Sequence, residues 1–521
     1  MMRRRTFLRP IPLLALALGT SIPRRLPTPP TAPPAVPREF RAAWVTPILD
    51  RGFRDWPSSP NMSTEEQKAE LRATLDRAAA AGLNAVILHI RLAGDALYPT
   101  TFAPWSAFLT GQSGVGPSPA YDPLAFAIDE AHARGLQLHA WFNPFRAMLP
   151  NFAGHAAASH VTRKHPEWIR KYGSQTWIDP GDPAARKYVL DTFLDVVKRY
   201  DVDGIHIDDY FYPYQETETI TRRVKRRRIR EHRVIPFPDT KTWTKYGKPA
   251  GFTNRDDWRR ANIDEFVRDL YKSVKSIKPS VIVGISPFGI WRPGSPPGIT
   301  GLDSYAEIYA DSKHWLVEGW LDYLVPQLYW EVGGTQDRFR VLDAWWRSVN
   351  PQRRYIWPGL YTSHVYEGRD AWSMGEIARQ ITTIRASRIG STDVPGHVHF
   401  RLAALFADSN RLAKTLGTLY QERAIPPAFP WLGATEPAAP AVTLAPGDGA
   451  ATFTIAPGDD TTVRWWLIQT RGRDGVWATT LRPAGGGRQA APAFGTNDPD
   501  EIAVSAIGET GVASVPTIVV P

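Results

Sequence analysis

The sequence predicts an α/β chain: a (β/α)8 TIM barrel followed by a small β-sandwich. Three observations carry this. Short apolar runs alternate with helical segments eight times between Arg41 and Arg401, the pattern of a parallel sheet closed on itself. No Gly-rich phosphate loop follows the first run, which argues against an open doubly wound sheet. After Pro426-Pro427 helical periodicity stops, and short strands between Gly, Pro and Asp turns take over. At 521 residues and 43% apolar content, the chain can build a barrel with its own core and a smaller module beside it.

The elements follow in order. Ala42-Ala43-Trp44-Val45 reads as the first strand. Thr64 to Ala81 reads as a helix capped by Ser63 or Thr64 and stopped by Gly82. The second strand is Ala85 to Ile90, followed by Arg91 and Asp95. A helix from Pro123 to Arg134 leads to a third strand, Leu136 to Trp141, ending in Phe142-Asn143-Pro144-Phe145-Arg146. The helix Pro183 to Tyr200 leads to the fourth strand, Ile205-His206-Ile207, which runs into Asp208-Asp209-Tyr210-Phe211-Tyr212. Strands five to eight are Val281 to Ser286, Tyr323 to Tyr329, Tyr355 to Tyr361 and His397 to Arg401. Helices are expected near Trp258 to Lys275, Arg338 to Ser348 and Met374 to Ser387. The domains are therefore 1–37, an export signal and tether; 38–425, the barrel; and 437–521, the sandwich, which resembles fibronectin type III.

The N-terminus reads as an export signal. Arg4-Arg5-Thr6-Phe7-Leu8 resembles a twin-arginine motif, and the apolar stretch Ile11 to Ile22 is short for a membrane span. Pro23 to Pro37 is a Pro-rich tether. The expected location is the periplasm or cell envelope. There is no cysteine, so no disulfide, thiolate metal site or lipid-anchored Cys is available. The net charge of +10 is local: residues 1–25 hold six Arg and no acid, and residues 222–233 hold eight Lys/Arg and one Glu. The rest of the chain is slightly acidic, which excludes a nucleic-acid face. The basic run Thr221 to Arg233 is expected as a solvated insertion able to touch an anionic surface.

Carboxylates at a strand's C-terminal end, ringed by aromatics, suit glycosidic cleavage, which needs one acid and one carboxylate that attacks or activates water. Asp208 and Asp209 are candidates for the attacking carboxylate. Glu331, after strand six beside Tyr329 and Trp330, is the candidate acid/base, because an apolar setting raises a carboxyl pKa. Arg146 is placed to pair with a strand-four carboxylate, and Asn143 lies beside it in sequence. Arg91, Asp95 and Gln327 are polar groups expected near the mouth, where they could bind hydroxyls or N-acetyl groups. His206 shares a strand face with Asp208 and is expected as its neighbour. Trp141, Phe145, Tyr210, Tyr212, Trp291, Tyr329 and Trp330 are either stacking platforms or core. His89 and His139 lack a carboxylate at ligand spacing, so neither a metal nor another cofactor is expected.

Seven motifs, in order at successive strand ends, carry a family resemblance. They are Phe40-Arg41-Ala42-Ala43-Trp44-Val45, Arg91-Leu92-Ala93-Gly94-Asp95-Ala96-Leu97-Tyr98, Ala140-Trp141-Phe142-Asn143-Pro144-Phe145-Arg146, Asp203 through Pro213, Asp257-Trp258-Arg259-Arg260-Ala261-Asn262, Ile285-Ser286-Pro287-Phe288-Gly289 and Pro326-Gln327-Leu328-Tyr329-Trp330. Residues 38–425 thereby resemble the bacterial glycosyl-hydrolase-like family ten. The resemblance implies a (β/α)8 hydrolase of the cell envelope. One type in that family is a division-linked glycosidase that cuts peptidoglycan glycans stripped of their peptides. Members often carry a lipid-anchor Cys, absent here, and the basic run lies outside the shared motifs. Two functions compete: a retaining glycosidase of peptidoglycan, and a non-catalytic glycan-binding envelope protein with the same aromatic cleft.

Overall fold

The computed structural model describes residues 32–152, 154–224, 227–433, 435–445, 452–485, 489–490 and 499–521. The expected export signal, residues 1–22, and the start of the tether lie outside the described residues.

Eight parallel strands form the centre: β1 (Phe40–Val45), β2 (Ala85–Arg91), β3 (Gln137–Phe142), β4 (Gly204–Ile207), β5 (Ile282–Ile285), β6 (Tyr323–Leu324), β7 (Tyr355–Ile356 and Gly359–Leu360) and β8 (Gly396–His399). A helix follows each: α1 (Thr64–Ala80), α2 (Pro123–Ala133), α3 (Pro183–Arg199), α4 (Arg255–Ile277), α5 (Ser312–Glu318), α6 (Arg338–Ser348), α7 (Glu376–Ala386) and α8 (Ala407–Leu416). The first piece of β7 pairs with β6, and its second piece pairs with β8, which pairs with β1. The sheet thus curls back to its first strand as an α/β barrel. Strands six and seven are shorter than their apolar runs because Pro326 and Pro358 have no N–H to give to the ladder.

The local rules act as expected in α1. Ser63 accepts from the Glu66 N–H while Glu66 reaches back to the Ser63 N–H, a capping box that settles which residue is the cap.

Large aromatic side chains build the barrel interior. Phe40, Trp44, Trp141, Tyr323, Tyr355 and Trp357 fill it, with Ala42, Ala85, Ile87 and Val398 between them. Glycines on facing strands make the room: a Cβ on Gly284 would sit 1.9 Å from the Tyr323 ring, and one on Gly396 2.5 Å from Trp357. Aliphatic residues instead dominate the layer between sheet and helices.

Two further features were not foreseen. Arg146–Met148, Ile169–Tyr172 and Gln175–Ile178 form a small antiparallel sheet in the connection after β3. The solvated insertion that carries the basic run takes the form of a two-stranded hairpin, Thr217–Val224 with Arg227–Val234. Its base is tied down by Glu216, which accepts from Ser174 N and Oγ, both at 2.9 Å, and from Gln175 Nε2 at 3.0 Å.

The C-terminal residues form a four-stranded and a three-stranded sheet. Phe453 and Ile455 of one pack on Trp466, Ile468 and Val504 of the other. This module docks at the start of β4, on the face of the barrel opposite the strand ends. Arg464 Nη2 donates to Asp203 Oδ1 at 2.8 Å, and His132 Nε2 lies 2.8 Å from Asp203 Oδ2.

Candidate active site

β4 ends at Ile207, so the chain leaves strand geometry before Asp208 and the alternation of faces no longer separates it from Asp209. Both carboxylates reach one cavity of about 730 Å3 at the strand ends. Trp44, Trp141, Tyr210, Tyr329, Tyr361 and Phe400 supply its aromatic walls, and Arg146, Tyr214, Ser286 and Gln327 its polar ones. Asp208 is 4% exposed and Asp209 6%.

Asp208 is held from the neighbouring strand. Trp141 Nε1 and Asn143 Nδ2 each donate to its Oδ2 at 3.2 Å, and the Tyr210 N–H donates to Oδ1 at 3.3 Å. Burial, and then the adjacent Asp209 charge, push the Asp208 carboxyl up to about 7. Asp209 accepts a short hydrogen bond from the Tyr214 hydroxyl. Burial raises its pKa too, opposed by hydrogen bonds from Tyr214 and Gln327 and by the Arg146 charge. The two carboxyls titrate as a pair: burial makes a second charge costly, and Tyr214, Gln327 and Arg146 favour the charge that sits on Asp209.

The cavity floor joins the barrel interior through His206. Trp44 Nε1 can only donate, and it donates to His206 Nε2 at 3.1 Å, so the His206 proton lies on Nδ1. That N–H donates to the Tyr323 oxygen at 3.0 Å, and the Tyr323 hydroxyl donates to His139 Nδ1 at 2.7 Å. Burial lowers His206 well below the ordinary histidine range, so it is neutral. His206 sits beneath the floor and does not line the cavity; its hydrogen bonds go to Trp44, Tyr323 and Ser286 rather than to the expected neighbour Asp208.

Other expected site residues are corrected in the same way. Glu331 is exposed and does not line the cavity, because the chain turns outward after Tyr329; its expected apolar setting is not there. Arg91 is buried away from the mouth with its guanidinium 5.9 Å from the Tyr188 ring of α3. Asp95 accepts from Leu92 N at 3.1 Å and Ala93 N at 2.8 Å and so shapes its own turn. Tyr212 is core, edge-on to Phe237 and Tyr309. Trp291 stacks on Trp345, and Trp330 meets Phe288 edge-on from outside the cavity lining. Arg146 makes no ion pair with either aspartate among the described residues; its guanidinium lies 3.9 Å from the Tyr210 ring centre and acts on the pair through its field. Asn143 stands behind Asp208 rather than in the cavity. Trp141, Arg146, Tyr210, Gln327 and Tyr329 line it together with the two aspartates.

The sequence reading missed Asp50, Gln175 and Tyr214 and weighed His89 only as a metal ligand; all four line the cavity. Asp50 opens a tight turn whose ends exchange hydrogen bonds, Asp50 N to Phe53 O at 3.0 Å and Phe53 N to Asp50 O at 2.9 Å. The turn carries Arg51 and Gly52 at φ of 48° and 86°. Tyr214 was legible only as one more aromatic in the run after β4.

A family model described as Glycosyl hydrolase-like 10 matches residues 39–372. The chain is 37% identical over 449 residues to Glycosyl hydrolase YngK of Bacillus subtilis (strain 168), covering 83% of this chain and 81% of that protein. It is 35% identical over 390 residues to Glycosyl hydrolase DigH of Escherichia coli (strain K12), covering 69% of this chain and 83% of that protein. Among solved structures, the PgaB (BpsB) glycoside hydrolase domain from Bordetella bronchiseptica is 15% identical with a TM-score of 0.46, covering 75% of this chain and 100% of that one.

Proposed function

The chain belongs to the Glycosyl hydrolase-like 10 family, and from that premise we propose that it hydrolyses O-glycosyl bonds of an envelope polysaccharide, the glycan strands of peptidoglycan. The observation that carries the reading is Asp208: a buried carboxyl, pushed up to about 7, in an aromatic cavity at the strand ends. A general acid must hold its proton at working pH and release it in the transition state, which a pKa near 7 permits. Asp208 thus takes the proton-donor role that an expected apolar setting gave to Glu331. The flat apolar walls of Trp44, Trp141 and Tyr329 offer faces for sugar rings, and Arg146 and Gln327 offer donors for their hydroxyls. A first displacement at the anomeric carbon, followed by attack of water on the intermediate, completes the reaction with retained configuration.

The rest of the chain is read as delivery. The N-terminus exports the protein by the twin-arginine route to the envelope. The C-terminal module, resembling fibronectin type III, positions the barrel from the face opposite the cavity. The basic hairpin at residues 217–234 draws the enzyme toward anionic envelope polymers, an attraction that salt weakens. The test is incubation of the purified protein with amidase-treated glycan strands and mass analysis of the products. Saccharide fragments with hydrolysed reducing ends are expected. Binding without any new reducing end would instead mean a glycan-binding protein.

A further inference from the structure

The cavity presents three carboxylates among the described residues: Asp50, Asp208 and Asp209. Asp208 and Asp209 are consecutive, so they approach a bound sugar from one strand end. A displacement at the anomeric carbon needs a proton donor beside the leaving oxygen and a nucleophile on the opposite face. Two groups on one strand end serve poorly as that opposed pair. Asp209 has a different partner: the Tyr214 hydroxyl on its Oδ2, with the Gln327 amide beside it. A carboxylate next to a phenol complements a secondary amide once the phenol turns its one proton, given to Asp209 in the structure, to the amide carbonyl, and the carboxylate accepts the amide N–H in its place. Tyr329 closes this corner with an apolar face, its ring stacked on Tyr361 at 4.8 Å and 6.0 Å from Phe400. Such a face suits a methyl group.

We propose that Asp209, Tyr214 and Tyr329 seat the 2-acetamido group of an N-acetylated sugar, and that the amide oxygen of the substrate, not a protein carboxylate, attacks the anomeric carbon. This rests on the glycosidase reading above and names the sugar class and the nucleophile.

The step balances. Asp208 gives its proton to the leaving glycosidic oxygen as the bond from that oxygen to C1 breaks and the amide oxygen bonds to C1. Asp209 takes the amide proton, leaving a neutral oxazoline. Water then adds to C1 and gives its proton to the Asp208 carboxylate. The bond from C1 to the amide oxygen breaks, and the nitrogen recovers its proton from Asp209. One water is consumed, both carboxylates are restored, and two inversions leave the configuration retained. Asp208 is placed for its two turns because its carboxyl, pushed up to about 7, can both give and retake a proton near neutral pH.

The experiment compares amidase-treated glycan strands with the same strands after enzymatic de-N-acetylation, using the full-length chain. A thiazoline of N-acetylglucosamine, a stable mimic of the oxazoline, is measured in parallel for binding to wild type and Asp209→Asn. The expected result is cleavage of the acetylated strands and a loss of on the order of 10²-fold or more on the de-N-acetylated ones, the scale of one positioned catalytic group. The thiazoline should bind wild type and bind Asp209→Asn at least about tenfold more weakly, as when a charge-assisted hydrogen bond is lost. Equal cleavage of both strands would overturn the proposal and leave the glycosidase reading standing, with Asp50 or water as the attacking group. Equal thiazoline binding by the two proteins would also overturn it. No cleavage of either strand would overturn the glycosidase reading and the proposal with it.

Discussion

Asp208 and Asp209 are neighbours in the chain, yet both side chains enter one cavity, because β4 ends at Ile207, one residue before them. Continued strand geometry would have turned one of them into the layer between sheet and helices. Their proximity in a buried place makes one proton cheap to keep and two charges costly.

Asp208 sets a pH dependence of stability. Its pKa is raised on folding from 3.8 to about 7, so the fold favours the neutral form. That contribution is whole below pH 4 and is lost as pH rises through about 7. Asp208→Asn stays neutral throughout. Thermal melts at pH 4 and pH 8 should show wild type losing stability relative to the variant as pH rises. The opposite trend would mean that Asp208 is ionised in the native state.

Glu331→Gln tests the corrected placement. The side chain is exposed outside the cavity, so cleavage of glycan strands should stay within about twofold of wild type, as for most surface substitutions. A loss of 10²-fold or more, the scale expected on removing a general acid or base, would return Glu331 to the chemistry.

Arg464→Ala tests the docking of the C-terminal module. It removes the cation from Asp203, which is buried and keeps only His132 and the Leu138 N–H, so a loss of about 1–3 kcal/mol in unfolding stability is expected. Turnover of soluble glycan strands by the folded variant should be unchanged, because the contact lies at the start of β4 and the cavity at its end. Impaired turnover at full stability would show that the module bears on the site.

Gly284→Ala tests the packing of the barrel interior. The new methyl would meet the Tyr323 ring, which also anchors His206 and His139. Overpacking of about 1–3 kcal/mol or more is expected in denaturant unfolding. A neutral result would mean that the ring moves freely and that the chain from Tyr323 to the cavity floor is not rigid.

Much of the barrel was legible because its signals are local. Ala85-Val86-Ile87-Leu88 reads as strand, and Pro183 after Asp182 reads as a helix start, whatever surrounds them. The two prolines in strands six and seven cut the ladders short, which apolar patterning alone does not reveal. The sheet at Arg146–Met148, Ile169–Tyr172 and Gln175–Ile178 was missed because its strands are three or four residues long and mixed in polarity. In the site, Asp208 and Asp209 were visible as carboxylates at a strand end. Glu331 was misplaced because adjacency to Tyr329 and Trp330 in sequence does not say which way the chain turns after them. Asp50 and Tyr214 arrive from a turn after β1 and from the run beyond β4, and only the closed barrel brings them to the same cavity.

The most direct test of the central claim is how Asp208→Asn depends on the leaving group. Removing a general acid harms substrates whose leaving oxygen needs a proton and spares those whose leaving group departs as a stable anion. The rates to compare are those on amidase-treated glycan strands and on a dinitrophenyl glycoside of the same sugar. The account predicts a loss on the order of 10²–10⁴-fold on the strands and a far smaller loss on the dinitrophenyl glycoside. Equal losses on both substrates, or full activity on the strands in a folded variant, would contradict it.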